Sequence, residues 1–148
     1  MQSGRPSDEM DTIAYAASFL GAAERLAETE WTDNHTLIVP FYMLIGFSLE
    51  NGLKAVLEFS GTDRSLNWFH SHDLTKLRQL AEGKGLTLDQ DQAVFIDELS
   101  PLHKEHHFRY PQKAATAALM KPPSAVVVTN AILSSAFLLV GGPFRLDD

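Results

Sequence analysis

Thirteen consecutive uncharged residues, Leu37 to Leu49, form the most apolar run near the centre of the chain, whose character changes at Glu50, Asn51 and Lys54. A helix that is apolar on every face is one that its neighbours enclose. Extended to Phe59, this segment is about 35 Å long at 1.5 Å per residue, enough to cross a small domain. The pattern therefore predicts a central helix over 37–59 with charged groups confined to its C-terminal half. Pro40 lacks an N–H, so it either starts this helix or kinks its first turns. Gly61, after Phe59 and Ser60, has the position of a C-terminal stop.

Helical spacing recurs on both sides of that segment. Met10, Ile13, Ala17 and Leu20 form a stripe that Phe19, Ala23 and Leu26 widen. Ser7 or Asp8 is placed to cap this first helix, which should fade near Glu30, before the Thr32-Asp33-Asn34 turn. Residues 61–71 read as a loop whose two aromatics, Trp68 and Phe69, tuck against the bundle because such rings bury large areas. Ser71 is the expected cap of a third helix, His72 to about Glu82, with Leu74, Leu77, Leu80 and Ala81 inward and Gly83 and Gly85 ending it. Thr87 and Gln90 have capping-box spacing for a fourth, whose stripe is Ala93, Phe95, Ile96, Leu99 and Leu102. Residues 103–123 are expected to be a long connection, with a short helix at Lys113–Met120 and Pro122-Pro123 closing it. Ser124 then caps a last helix, Ala125–Val140. The fold class is all-α: one domain over residues 1–148, an up-and-down bundle of four long helices plus a partial fifth. Residues 1–6 are expected to be disordered.

Composition narrows the function classes. The chain has no cysteine, which excludes disulfides and thiolate metal or redox sites. No signal peptide is read at the N-terminus and no membrane span in either apolar stretch, so the expected location is the cytoplasm. A net charge of −7 opposes indiscriminate binding to nucleic acid. One region runs the other way: between His103 and Lys121 stand Lys104, Arg109, Lys113 and Lys121 against Glu105 alone.

Candidate chemistry is sparse. Glu50 and Lys54 are an i, i+4 pair in the favourable order, and their place at the end of a buried helix suggests the border of a cleft. His70, Ser71, His72 and Asp73 cluster at a helix start, where His72 is an acid–base candidate. His103, His106 and His107 invite a metal reading, but H-x-E-H-H matches neither H-E-x-x-H nor H-x-x-E-H, so no metal centre and no cofactor are assigned. The role of these three histidines stays open. Arg109, suited to bidentate phosphate binding, precedes Tyr110, which Pro111 pushes towards an extended conformation. Gly83-x-Gly85 lacks the remainder of a phosphate loop.

The run Leu49-Glu50-x-x-Leu53-Lys54-Ala55-Val56-Leu57, then Gly61, then His72-Asp73-Leu74-x-x-Leu77, and finally Arg109-Tyr110-Pro111, resembles the HEPN domain superfamily, in the branch that reads roughly LE-x-x-LK-A-x-L, H-D-L-x-x-L, R-Y-P. The resemblance covers residues 37–111. It implies a helical bundle, a homodimer and a link to RNA cleavage, nucleotide binding, toxin–antitoxin or phage-defence systems, with a nucleotidyltransferase-like protein as a possible partner. Ribonuclease members carry an arginine followed four to six residues later by a histidine, on a late helix. Arg64 and His70 have that spacing but stand in the loop after the central helix, so the catalytic assignment is not carried onto them. What carries over is a ligand-binding set of Glu50, Lys54, His72, Arg109 and Tyr110, with His72 and Arg109 as the catalytic candidates. The expected function is a dimeric binding module for a nucleotide, RNA or partner protein. The alternatives are a metal-independent ribonuclease and a structural subunit.

Overall fold

The computed structural model describes residues 8–28, 35–104 and 120–141. The expectations for residues 1–6, for residues 113–119 of the short helix and for Arg109 and Tyr110 lie outside these residues, and Met120, the expected end of that helix, is not helical. Among the described residues the chain is all-helical, with five α-helices: α1 (Asp8–Ala27), α2 (His35–Phe59), α3 (Leu74–Gly83), α4 (Gln90–Lys104) and α5 (Pro122–Val140). A single 3₁₀ turn, Arg64–Leu66, interrupts the α2–α3 connection.

α2 is the axis, packed by all four other helices. Its fully buried residues, Phe41, Tyr42, Ile45, Leu49, Leu53, Val56 and Leu57, form the middle of the core. α1 supplies Ala16, Leu20 and Ala23, small residues alternating with a large one. α5 supplies Ile132, Leu133, Ala136 and Phe137. Gly52 lets α5 come close, since a Cβ there would meet Leu133 Cδ2 at 2.4 Å. Among the described residues α5 is the one helix long and apolar enough to cross a bilayer. One of its faces is spent on the core, while Val127 and Leu138 stand on the other, exposed.

The helix ends show where local chemistry overrode the simplest reading. α2 begins at His35 and takes Pro40 inside its early turns. Gly61 ends it with a φ of +65°, which a glycine adopts without steric cost. α3 begins at Leu74, not His72, because Asp73 is the cap: its Oδ1 accepts from the Lys76 amide at 3.1 Å. Ser71 caps the turn before it, accepting from the Asp73 amide at 3.0 Å. The capping box of α4 is formed by Asp89 and Gln92, not Thr87 and Gln90. Each side chain there accepts the other residue's amide, at 2.8 and 3.0 Å. α5 starts at Pro122 with Lys121 as its cap residue; proline suits the first helical positions because their N–H groups have no intrahelical partner. Ser124 is therefore inside the helix.

The loop after α2 is anchored by Trp68, which is buried and donates from Nε1 to the Thr62 carbonyl at 3.2 Å. This fixes the path of the chain into residues 70–73.

Candidate functional site

A carboxylate on the enclosed part of a helix is costly unless partners surround it. Glu50 is 7% exposed and has three partners. Its Oε2 accepts from Lys54 Nζ at 2.9 Å, one turn further along α2. Its Oε1 accepts from His72 Nδ1 at 2.9 Å and from His103 Nε2 at 2.8 Å. Three segments thus meet at one side chain: α2, the residues leading into α3, and the last turn of α4.

Local structure explains each arrival. His103 follows Leu99 by one turn on the inner face of α4, whose buried residues are Phe95, Ile96, Leu99, Ser100 and His103. Its ring lies on Gly46 of α2; a Cβ at that position would come within 2.3 Å of Nδ1. The absence of a side chain at Gly46 is what admits the imidazole. Phe47 packs its ring against His103 edge-on at 5.1 Å and contacts Phe19 of α1 at 5.6 Å, linking the site to α1. His72 is held by the Ser71–Asp73 turn that precedes α3.

A second polar layer joins α3 to α4. Ser100 Oγ donates to Asp73 Oδ1 at 3.2 Å and accepts from the Thr75 amide at 3.1 Å. Lys104 approaches Asp73 Oδ2 at 3.5 Å. One turn further along α3, Arg78 grips Asp97 with two parallel bonds of 3.1 Å and also bonds Glu82. These contacts fix the spacing of α3 and α4, and so the positions of His72 and His103.

Electrostatics follow from the partners. Burial alone would raise the Glu50 pKa, but the hydrogen bonds from His103, Lys54 and His72, with the Lys54 charge, outweigh it and bring it from 4.5 to about 2. The same balance lowers Asp73, where burial is outweighed by the Lys76 amide, Ser100 and Lys104. An ionised carboxylate is acceptor-only. Each ring nitrogen facing Glu50 therefore carries its proton, which makes neutral His72 the Nδ1–H tautomer and neutral His103 the Nε2–H tautomer. His103 is enclosed, with 4% of its side chain exposed, whereas His72 has 44% exposed. The cluster opens to solvent on the His72 side.

Of the residues singled out from sequence, Glu50, Lys54 and His72 are brought together. Arg109 and Tyr110, with His106 and His107, lie outside the described residues. Lys54 spends its charge on Glu50 and is largely buried. Arg64 stacks over the Phe69 ring at 4.0 Å, which gives it a structural partner in the loop. His103 is the member that sequence reading did not place here, because it put the end of α4 before it. Glu50, His72 and His103 also present one donor atom each within 4.8 Å of one another, a two-histidine, one-carboxylate set. Motif matching does not find this set, since its members are 22 and 53 residues from Glu50. A separate open groove of about 290 Å³ lies between α1 and α5, lined by Glu24, Ala27, Glu28, Pro123 and Val126. It shares no residue with the cluster.

Comparison with models of protein families, with curated proteins and with solved structures finds no match.

Proposed function

We propose that this chain is a HEPN-like binding module, acting as a homodimer, that takes a nucleotide or RNA at the His72 edge of the Glu50 cluster. One observation carries this reading: an ionised, enclosed carboxylate gathers partners from three segments and presents one of them, His72, to solvent. A bundle held together by apolar packing alone has no use for such a group, because a buried charge set contributes little net stability compared with apolar side chains of similar volume. In this reading Lys54 and His103 hold Glu50, and Glu50 holds the His72 ring. The Arg109-Tyr110-Pro111 segment, a few residues past Lys104 in sequence, supplies the phosphate-binding cation. A nucleotidyltransferase-like partner in a toxin–antitoxin or defence setting fits the same resemblance.

Thermal shift with a panel of nucleotides and short RNAs tests it, since a ligand selective for the native state raises the melting temperature. A rise with at least one of them, lost in His72→Ala and Arg109→Ala, is the expected result. No shift with any member would overturn the reading.

One geometric feature favours a second reading. A carboxylate–imidazole hydrogen bond that fixes the Nδ1–H tautomer leaves Nε2 as the basic nitrogen, the arrangement used in general acid–base catalysis. Cleavage of total RNA without added metal, abolished by both His72→Ala and Arg109→Ala, would select a ribonuclease instead of a binding module.

A further inference from the structure

We infer that Glu50, His72 and His103 form a binding site for one divalent first-row transition ion of the zinc type, held by Glu50 Oε1, His72 Nδ1 and His103 Nε2. The inference rests on the reading of this cluster as the chain's ligand site, and names a ligand for it.

The donor set has the right chemistry. Two imidazoles and a carboxylate suit zinc, iron, manganese and nickel, whereas an all-oxygen set would suit magnesium or calcium. Bonds of about 2.1 Å place donor atoms about 3.4 Å apart in a tetrahedral site and about 3.0 Å apart in an octahedral one. Glu50 Oε1 already lies 2.9 Å from His72 Nδ1 and 2.8 Å from His103 Nε2. An ion requires these two pairs to widen by about 0.1 to 0.6 Å, according to its geometry, and the two ring nitrogens, within 4.8 Å of each other, to settle at the same spacing. It takes the place of the two ring protons now pointing at Oε1, and each ring changes tautomer as the ion binds, so that the single proton of each moves to the opposite nitrogen, Nε2 of His72 and Nδ1 of His103.

Neighbouring contacts hold the carboxylate and the enclosed ring in place. Lys54 holds Oε2 at 2.9 Å, which leaves Oε1 as the single coordinating oxygen. Gly46 and Phe47 fix the His103 ring from two sides. Three protein ligands with an exposed His72 edge leave coordination positions for water or for an oxygen of a bound phosphate, the pattern of an open site and not of a closed structural one.

The test uses the full chain without an affinity tag, stripped with chelator. Zn²⁺ is titrated by calorimetry, and Co²⁺ is followed by its visible absorption. One ion per chain is expected, with cobalt bands of nitrogen and oxygen ligation and a higher melting temperature. His72→Ala, at a half-exposed position that folding tolerates, should lose most of the binding. The double variant His106→Ala/His107→Ala should keep it. Absence of binding, or binding that His72→Ala leaves intact and the His106/His107 double variant removes, overturns the inference; the latter result marks an adventitious ion only. The nucleotide and RNA thermal shifts are repeated on stripped protein. Shifts that persist while no metal binds would sink the metal site alone, and metal binding without any shift would sink the nucleotide reading alone.

Discussion

The two sides of α2 solve opposite problems with the same helix. Towards α1 and α5 the contact is almost wholly apolar, with Ser48 bonding the Ala16 carbonyl at 2.8 Å as one of few polar links. Towards α3 and α4 the helix presents Glu50 and Lys54, and the neighbours answer with His72, His103, Asp73 and Ser100. Burial of apolar area can hold either side at about 25 cal/mol per Å². The polar side therefore needs another explanation than stability, and its opening to solvent at His72 supplies one.

Removing Glu50 tests this contrast most severely. Glu50→Ala leaves an enclosed imidazole and an ammonium without their acceptor, and the expected loss is about 3–5 kcal/mol by urea denaturation. Truncation on the apolar side, at Leu133 of α5, which is fully buried against Gly52 (Leu133→Ala), should cost a comparable 2–5 kcal/mol or so through its cavity. The sides part company on repair. A combined Glu50→Met, Lys54→Met and His103→Leu variant should recover most of that stability, since it removes all the buried charge together, yet bind no ligand. A triple variant far less stable than Leu133→Ala would show that the polar side is structural after all.

Acid titration comes next in size. The Glu50 pKa lies below its ordinary value when folded, so the stability it contributes is complete above about pH 4.5 and disappears as the pH falls towards 2. The loss amounts to about 3–4 kcal/mol at most, because one pKa unit is about 1.4 kcal/mol. In metal-free protein, Glu50→Gln should flatten the stability profile across that window. An unchanged slope would mean that other carboxylates carry the acid response.

Two glycines on α2 sharpen the comparison further. Gly46→Ala drives a methyl group onto the rigid His103 ring, and overpacking of this kind costs about 1–3 kcal/mol. It should also displace His103 from Glu50. Gly52→Ala meets the Cδ2 end of Leu133, a side chain that can adjust where the His103 ring cannot, and should cost less than Gly46→Ala. Equal losses would erase the distinction. Smallest of all, Ser100→Ala should cost about 1 kcal/mol by breaking the Asp73–Thr75 link.

Most of the helical frame is legible in the sequence, because apolar spacing and terminators are local. The central segment, the Gly61 stop and the burial of Trp68 all follow from neighbours in the chain. The Glu50–Lys54 pair is legible for the same reason. Cap assignments were off by a few residues wherever two polar side chains competed, as with Ser71 and Asp73 or Thr87 and Asp89. The larger gap is His103. The apolar stripe ends at Leu102 and residues 103–123 read as a connection, yet α4 runs two residues further, to Lys104. The spacing of Ile96, Leu99 and His103 held that information, but it becomes decisive only with Gly46 across the interface. Contacts between distant segments depend on which faces meet, and periodicity within one segment does not specify that.

Long-range ¹H–¹⁵N NMR of the imidazole rings, on metal-free protein at pH 8, addresses the central claim directly. If Glu50 gathers both histidines, His72 reports the Nδ1–H tautomer and His103 the Nε2–H tautomer, and both signals move in Glu50→Gln. Rings that show the opposite tautomers, or that ignore the substitution, would contradict the account.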